Sequence, residues 1–102
     1  MIEIRVNAGK HTEARVHELC EALRHARIWK ISDRRRTRHL RLMHSSGTVK
    51  GSVRRVESGD PEVLAFDCRA KDEAQEAITV GRFINLVLRD VEAVSDISIH
   101  RR

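Results

Sequence analysis

The chain has 102 residues, 40% hydrophobic and 34% charged, which suits one folded domain with one core and excludes a disordered tail. No apolar run approaches the ~20 residues of a membrane span, and the amino terminus opens straight into a strand pattern without a signal peptide, so a cytoplasmic protein with no membrane partner is expected. Lysine and arginine outnumber aspartate and glutamate 20 to 15, a formal net charge of +5, and a basic balance of this kind raises the question of a phosphate-bearing partner.

Ile2, Ile4 and Val6 alternate with Glu3 and Arg5, the pattern of a half-buried strand, and Asn7-Ala8-Gly9-Lys10 reads as a turn. A helix follows, with Thr12 as its N-cap, Glu13 in its first turn, and Val16, Leu19, Cys20, Leu23 and Ala26 on one apolar stripe. Ile28 to Ile31 either finishes this helix or leads out of it. Asp33 to Arg38 is a basic run without an apolar residue and reads as a loop. Leu40 and Leu42 then suggest a strand, since the Ser45-Ser46-Gly47 turn leads into a second strand pattern, as in a hairpin. A short helix between Asp33 and Gly47 is the alternative.

Val49, Gly51 and Val53 alternate with Lys50, Ser52 and Arg54, and Ser58-Gly59-Asp60-Pro61 is a turn in which Gly59 is free to take a positive φ. Glu62 to Cys68 is predicted as a strand with Leu64, Phe66 and Cys68 inward. Asp72 caps a second helix, with Gln75 completing a capping box. Val80, Phe83, Ile84, Val87, Leu88 and Val91 form its core arc, and Ile78 and Leu86 fall outside that arc. Val94 to His100 closes the chain with Ile97 and Ile99 inward. Strand, helix, two or three strands, helix, strand is the order of a ferredoxin-like βαββαβ two-layer sandwich, an α+β fold with an antiparallel sheet, two helices on one face and room for an extra hairpin strand. Residues 1–102 form a single domain. The expected core joins Ile4, Val16, Leu23, Leu64, Phe66, Phe83, Ile84 and Ile99.

Chemistry-bearing motifs are incomplete. The turn at Gly9-Lys10 lacks the distal glycine and the hydroxyl of a phosphate loop, because Ile4 and His11 hold those places; backbone amides beside Lys10 could still hold an anion. Glu13, His17, Glu21 and His25 recur every four residues, which suits a divalent metal or, more commonly, a solvated helix face; no metal or cofactor is expected. Cys20 and Cys68 form no CxxC pair and read as two buried, reduced thiols. No nucleophile is tied to a histidine by spacing, so the chain is read as non-enzymatic.

The strongest anomaly is basic. Arg34, Arg35, Arg36, Arg38, His39 and Arg41 precede the hairpin turn, and Lys50, Arg54 and Arg55 follow it. Hairpin pairing would place His39, Arg41, Lys50 and Arg54 on the sheet face away from the helices. Arg35, Arg36, Arg38, Arg41, Lys50 and Arg54 are therefore the candidate contacts to RNA or DNA phosphates, since a guanidinium suits bidentate phosphate contact. The alternative is an oligomeric regulatory or scaffold domain, and a homodimer is expected because Ile78 and Leu86 lie off the apolar arc.

The element order resembles that of acylphosphatases and ACT domains, and the ACT likeness implies pairing with a second copy. The stretch Glu62 to Val91, a strand running through Ala70-Lys71-Asp72 into an apolar helix, is similar to the Pcc1 subunit of the KEOPS tRNA-modification complex over under a third of the chain. It departs from that family in lacking the arginine-alanine and asparagine-serine signature of the helix, and membership is not claimed.

Overall fold

A computed structural model describes residues 1–10, 12–25, 29–31, 41–44, 50–91 and 94–101. Six strands, β1 (Ile2–Asn7), β2 (Trp29–Ile31), β3 (Arg41–His44), β4 (Gly51–Val56), β5 (Val63–Ala70) and β6 (Asp96–Arg101), form one antiparallel sheet in the order β2-β3-β4-β5-β1-β6. Two helices, α1 (Thr12–His25) and α2 (Glu73–Asp90), share one hydrophobic core with one face of that sheet.

Without β2 and β3 the order is β4-β5-β1-β6. Helix α1 then leads from β1 to β4 across β5, and α2 leads from β5 to β6 across β1, which is the split βαβ arrangement expected. The addition is two strands rather than one. Trp29-Lys30-Ile31 leaves the helix and pairs with β3, and Arg41–His44 is the strand favoured over a short helix. The arginine run at 34–38 and the turn at 45–47 lie outside the described residues.

Strict alternation places Ile2, Ile4 and Val6 of β1, Val53 of β4, and Leu64, Phe66 and Cys68 of β5 under the helices. Phe83 of α2 meets Phe66 edge-on at 4.9 Å between ring centroids and Trp29 at 6.3 Å. Of the expected core, Ile4, Val16, Leu64, Phe66 and Phe83 are buried together and Ile84 packs partly against them; the Leu23 side chain lies outside the described residues.

Two expectations on α2 are corrected. Leu86 is buried, whereas Leu88 is 64% exposed. The buried stripe runs Glu76, Thr79, Val80, Phe83, Leu86, Val87, and the row through Ile84 and Leu88 overhangs the sheet edge at β6. Ile99, expected in the core, is 49% exposed for the same reason: β6 is an edge strand, with no further strand beside it to extend the shelter. Of the two cysteines, Cys68 is buried and Cys20 only half so.

Turn and cap chemistry follow the sequence with one exception. Gly59 takes φ +76° in the turn before β5, and Asp72 caps α2 by accepting the Gln75 N–H at 2.8 Å. Gln75 does not complete the capping box: its Oε1 accepts the Lys50 N–H at 2.9 Å and ties the start of β4 to α2. Gly51, the first residue of β4, lies so close to Thr79 that a Cβ there would overlap the threonine side chain.

Candidate functional site

The sheet face away from the helices has no layer over it among the described residues. One row crosses it through successive Cα partners: Arg41 on β3, Arg54 on β4, Asp67 on β5, Glu3 on β1 and His100 on β6. Two arginine positions stand at one end, two carboxylates in the middle and an imidazole at the far edge. The neighbouring row pairs Ser52 with Arg69.

The two carboxylates differ. Glu3, only 6% exposed, pairs with Arg5 at 3.3 Å, and the same guanidinium donates to the Ser58 carbonyl at 3.3 Å. Asp67 is 8% exposed, yet its Oδ1 has no hydrogen-bond partner among the described residues. An unmet buried acceptor costs roughly 1–3 kcal/mol, so a fold that keeps one calls for a physical account. Asp67 lies with Ser52, Arg54 and Arg69 around a small hollow of about 130 Å³.

Most of the other described arginines are held. Arg5, Arg15, Arg55, Arg89 and Arg101 are each paired with a carboxylate, at Glu3, Glu18, Glu13, Asp90 and the pair Glu73/Glu76 respectively. Arg54 and Arg69, like Arg82 on α2, are exposed and have no such partner among the described residues; what sets them apart is that they border one hollow together.

The sequence-predicted contacts divide accordingly. Arg54 stands at the hollow. Arg41 occupies the register position opposite Arg54, and the Lys50 side chain is exposed just before β4. Arg35, Arg36 and Arg38 lie outside the described residues, as does His39. Arg55 belongs to the helix side, where it donates to Glu13 of α1 at 2.9 Å.

Sequence reasoning missed Ser52, Asp67 and Arg69. Alternation alone sends Asp67 and Arg69 outward from β5; finding Arg54 beside Asp67 also requires the register across the Gly59 turn.

Other constellations close off. In the turn after β1, Ala8 N–H donates to the Glu62 carbonyl and Gly9 N–H to Asn7 Oδ1, which leaves neither amide for an anion. Glu13 is held by Arg55, and no three His, Cys, Asp or Glu side chains gather for a metal among the described residues. Burial, then the nearby Glu76 carboxylate, pushes the Cys68 thiol up from 9.0 to about 11, partly offset by the amino terminus, so it stays protonated and unreactive at neutral pH. No helix among the described residues is long and apolar enough to cross a membrane.

Comparison with protein-family models, with curated proteins and with solved structures finds no match to this chain. The likeness of its element order to acylphosphatases and ACT domains is therefore one of architecture, and function has to be argued from the site itself.

Proposed function

We propose that the open sheet face binds nucleic acid through its phosphates, as a non-enzymatic binding protein. The observation that carries this is the adjacency of Arg54 and Arg69 around one hollow, two exposed guanidinium groups without carboxylate partners among the described residues. Their forks are available for bidentate contact with phosphate oxygens. The basic run Arg35, Arg36, Arg38 leads in sequence to Arg41, the register partner of Arg54, and Lys50 precedes the strand that carries Arg54. The open face has no aromatic platform, since Trp29, Phe66 and Phe83 all serve the core; affinity would come from charge and guanidinium stacking.

The test is the salt dependence of binding to a uridine-rich single strand of about ten nucleotides. Affinity should fall steeply between about 50 and 200 mM salt, and Arg54→Ala with Arg69→Ala should flatten the slope by about 0.7 per arginine. Arg36→Ala, Arg38→Ala and Arg41→Ala should flatten it further. No binding at low salt, or an unchanged slope in these variants, refutes the reading.

A second reading, a homodimer, is favoured by the other edge of the sheet. Ile84, Leu88, Val94, Ile97 and Ile99 border an apolar groove of about 330 Å³ beside the free edge of β6. Two β6 strands pairing antiparallel about a twofold axis at Ser98 would set Ile97 against the partner's Ile99 and Asp96 against the partner's His100, apolar on one face and complementary in charge on the other. Sedimentation at tens of micromolar should then give a dimer, and Ile99→Lys a monomer. A monomeric parent protein removes this reading.

A further inference from the structure

We propose that the hollow at Asp67 reads a guanine base of single-stranded nucleic acid, a proposal that rests on the phosphate-binding role of the open face. Phosphate alone answers Arg54 and Arg69 but leaves Asp67 worse off, because a second anion is brought against a buried carboxylate whose Oδ1 already lacks a donor. The site therefore calls for a ligand that carries hydrogen-bond donors beside its negative charge. A nucleotide does so, and the donor pattern selects among the bases. An ionised carboxylate only accepts. Guanine alone presents two adjacent donors, N1–H and the N2 amine, on its Watson–Crick edge. Adenine and cytosine set a ring acceptor beside their amine, and uracil flanks its single N–H with two carbonyls, so each would turn a lone pair toward Asp67.

Size and surroundings agree. The hollow of about 130 Å³ is bordered by four side chains and open on one side, which suits the edge of a base with the rest of the nucleotide outside. The ring would lie at the mouth, against the guanidinium planes of Arg54 and Arg69, which replace the absent aromatic platform. Ser52, paired in register with Arg69, adds a hydroxyl that can donate to guanine O6 or to a phosphate oxygen. The Watson–Crick edge is engaged in a duplex, so the site selects unpaired strands. Asp67 Oδ1 is closed to solvent in this conformation, so the base reaches it only when side chains bordering the hollow move aside, and Arg54 and Arg69 are long and exposed enough to do so.

The experiment is fluorescence anisotropy of the full chain with uridine-rich oligomers of about ten nucleotides carrying one central guanine, inosine or adenine, each made as RNA and as DNA. The guanine oligomer should bind about tenfold tighter than the adenine one, as expected of a single bidentate base contact, with inosine, which lacks the N2 amine, between them. Asp67→Asn should reduce guanine affinity to the adenine level while leaving the all-uridine oligomer bound at least as well. The RNA and DNA arms show which strand supplies the guanine; a preference in either supports the proposal. Equal binding of all the oligomers, steep in salt, overturns guanine reading and leaves phosphate binding standing. Retention of the preference in Asp67→Asn also overturns it. Absence of binding to every oligomer at low salt removes both. The comparison among bases uses the unaltered protein, so it decides the matter even where the variant fails to fold.

Discussion

The two faces of the sheet are built from alternate residues of the same strands, yet they treat polar groups in opposite ways. Under the helices each buried polar side chain is occupied. Thr79 donates to the Gln75 carbonyl at 2.7 Å, and Glu76 holds the Met1 ammonium at 3.2 Å and Arg101 at 3.6 Å. On the open face Glu3 is paired, while Asp67 beside it is buried with an unmet oxygen in a hollow it shares with Arg54 and Arg69, neither of which has a carboxylate partner among the described residues. Arg15 of α1, whose Nε is also buried, is by contrast held through its guanidinium by Glu18 at 2.8 Å. One face closes its hydrogen bonding internally and the other leaves donors and acceptors open, which is what a surface that meets a ligand requires.

The comparison is tested most severely on the helix face. Phe66→Ala removes a ring stacked edge-on against Phe83 at the centre of the core and should cost ~3–5 kcal/mol in denaturant unfolding. A loss below about 1 kcal/mol would mean that this face is not the packed one. Gly51→Ala should cost ~1–3 kcal/mol, because the new methyl overlaps Thr79. Thr79→Ala in the same chain removes Oγ1 and Cγ2 but keeps Cβ at 2.8 Å, so it should return only part of that loss, and the sign of this coupling in a double-mutant cycle separates a steric clash from a backbone effect.

These positions also show how far the sequence is legible. β1 and β5 declare themselves by strict alternation, and α1 and α2 by caps and apolar stripes. The three residues of β2 are too few to display a period, so Trp29 could not be told from the end of a helix. On α2 the run Ile84, Leu86, Val87, Leu88 offers apolar side chains in several directions. Only the position of the sheet edge selects Leu86 over Leu88 and leaves Ile99 half exposed, and that is a property of the assembled layers. The hollow was hidden for a related reason. Arg54 is legible as a basic outward residue, but the burial of Asp67 depends on the side chains that two strands bring around it.

Comparable in size is an alkaline effect on the helix face. The Cys68 thiol is raised from 9.0 to about 11 by burial and by Glu76, so above pH 9 the unfolded chain loses its thiol proton while the folded chain keeps it. Fewer protons on the unfolded state mean that stability falls as pH rises. The contribution is whole below pH 9 and lost by about pH 11, ~2–3 kcal/mol in all. Cys68→Ala should lower stability at every pH yet show a shallower decline over that window, measured by denaturant midpoints.

The smallest effect on folding belongs to the open face and sharpens the contrast most. Arg54 and Arg69 are exposed and have no carboxylate partner among the described residues, so their stems and charges do little for the fold. Replacing both by alanine should change unfolding free energy by no more than ~0.5 kcal/mol, the usual range for surface substitutions remote from caps and cores. The sign should be unfavourable, because the double change takes two cations from beside a buried carboxylate and leaves Asp67 less compensated. Adding Asp67→Asn to the double variant should restore the lost stability, as the charge that the arginines attenuate is then gone. A loss of several kcal/mol instead would mean that the arginines are structural partners of Asp67 and that this face, like the one beneath the helices, satisfies itself. A near-neutral double variant whose nucleic-acid binding nonetheless weakens would separate the two faces cleanly, one committed to folding and the other to recognition.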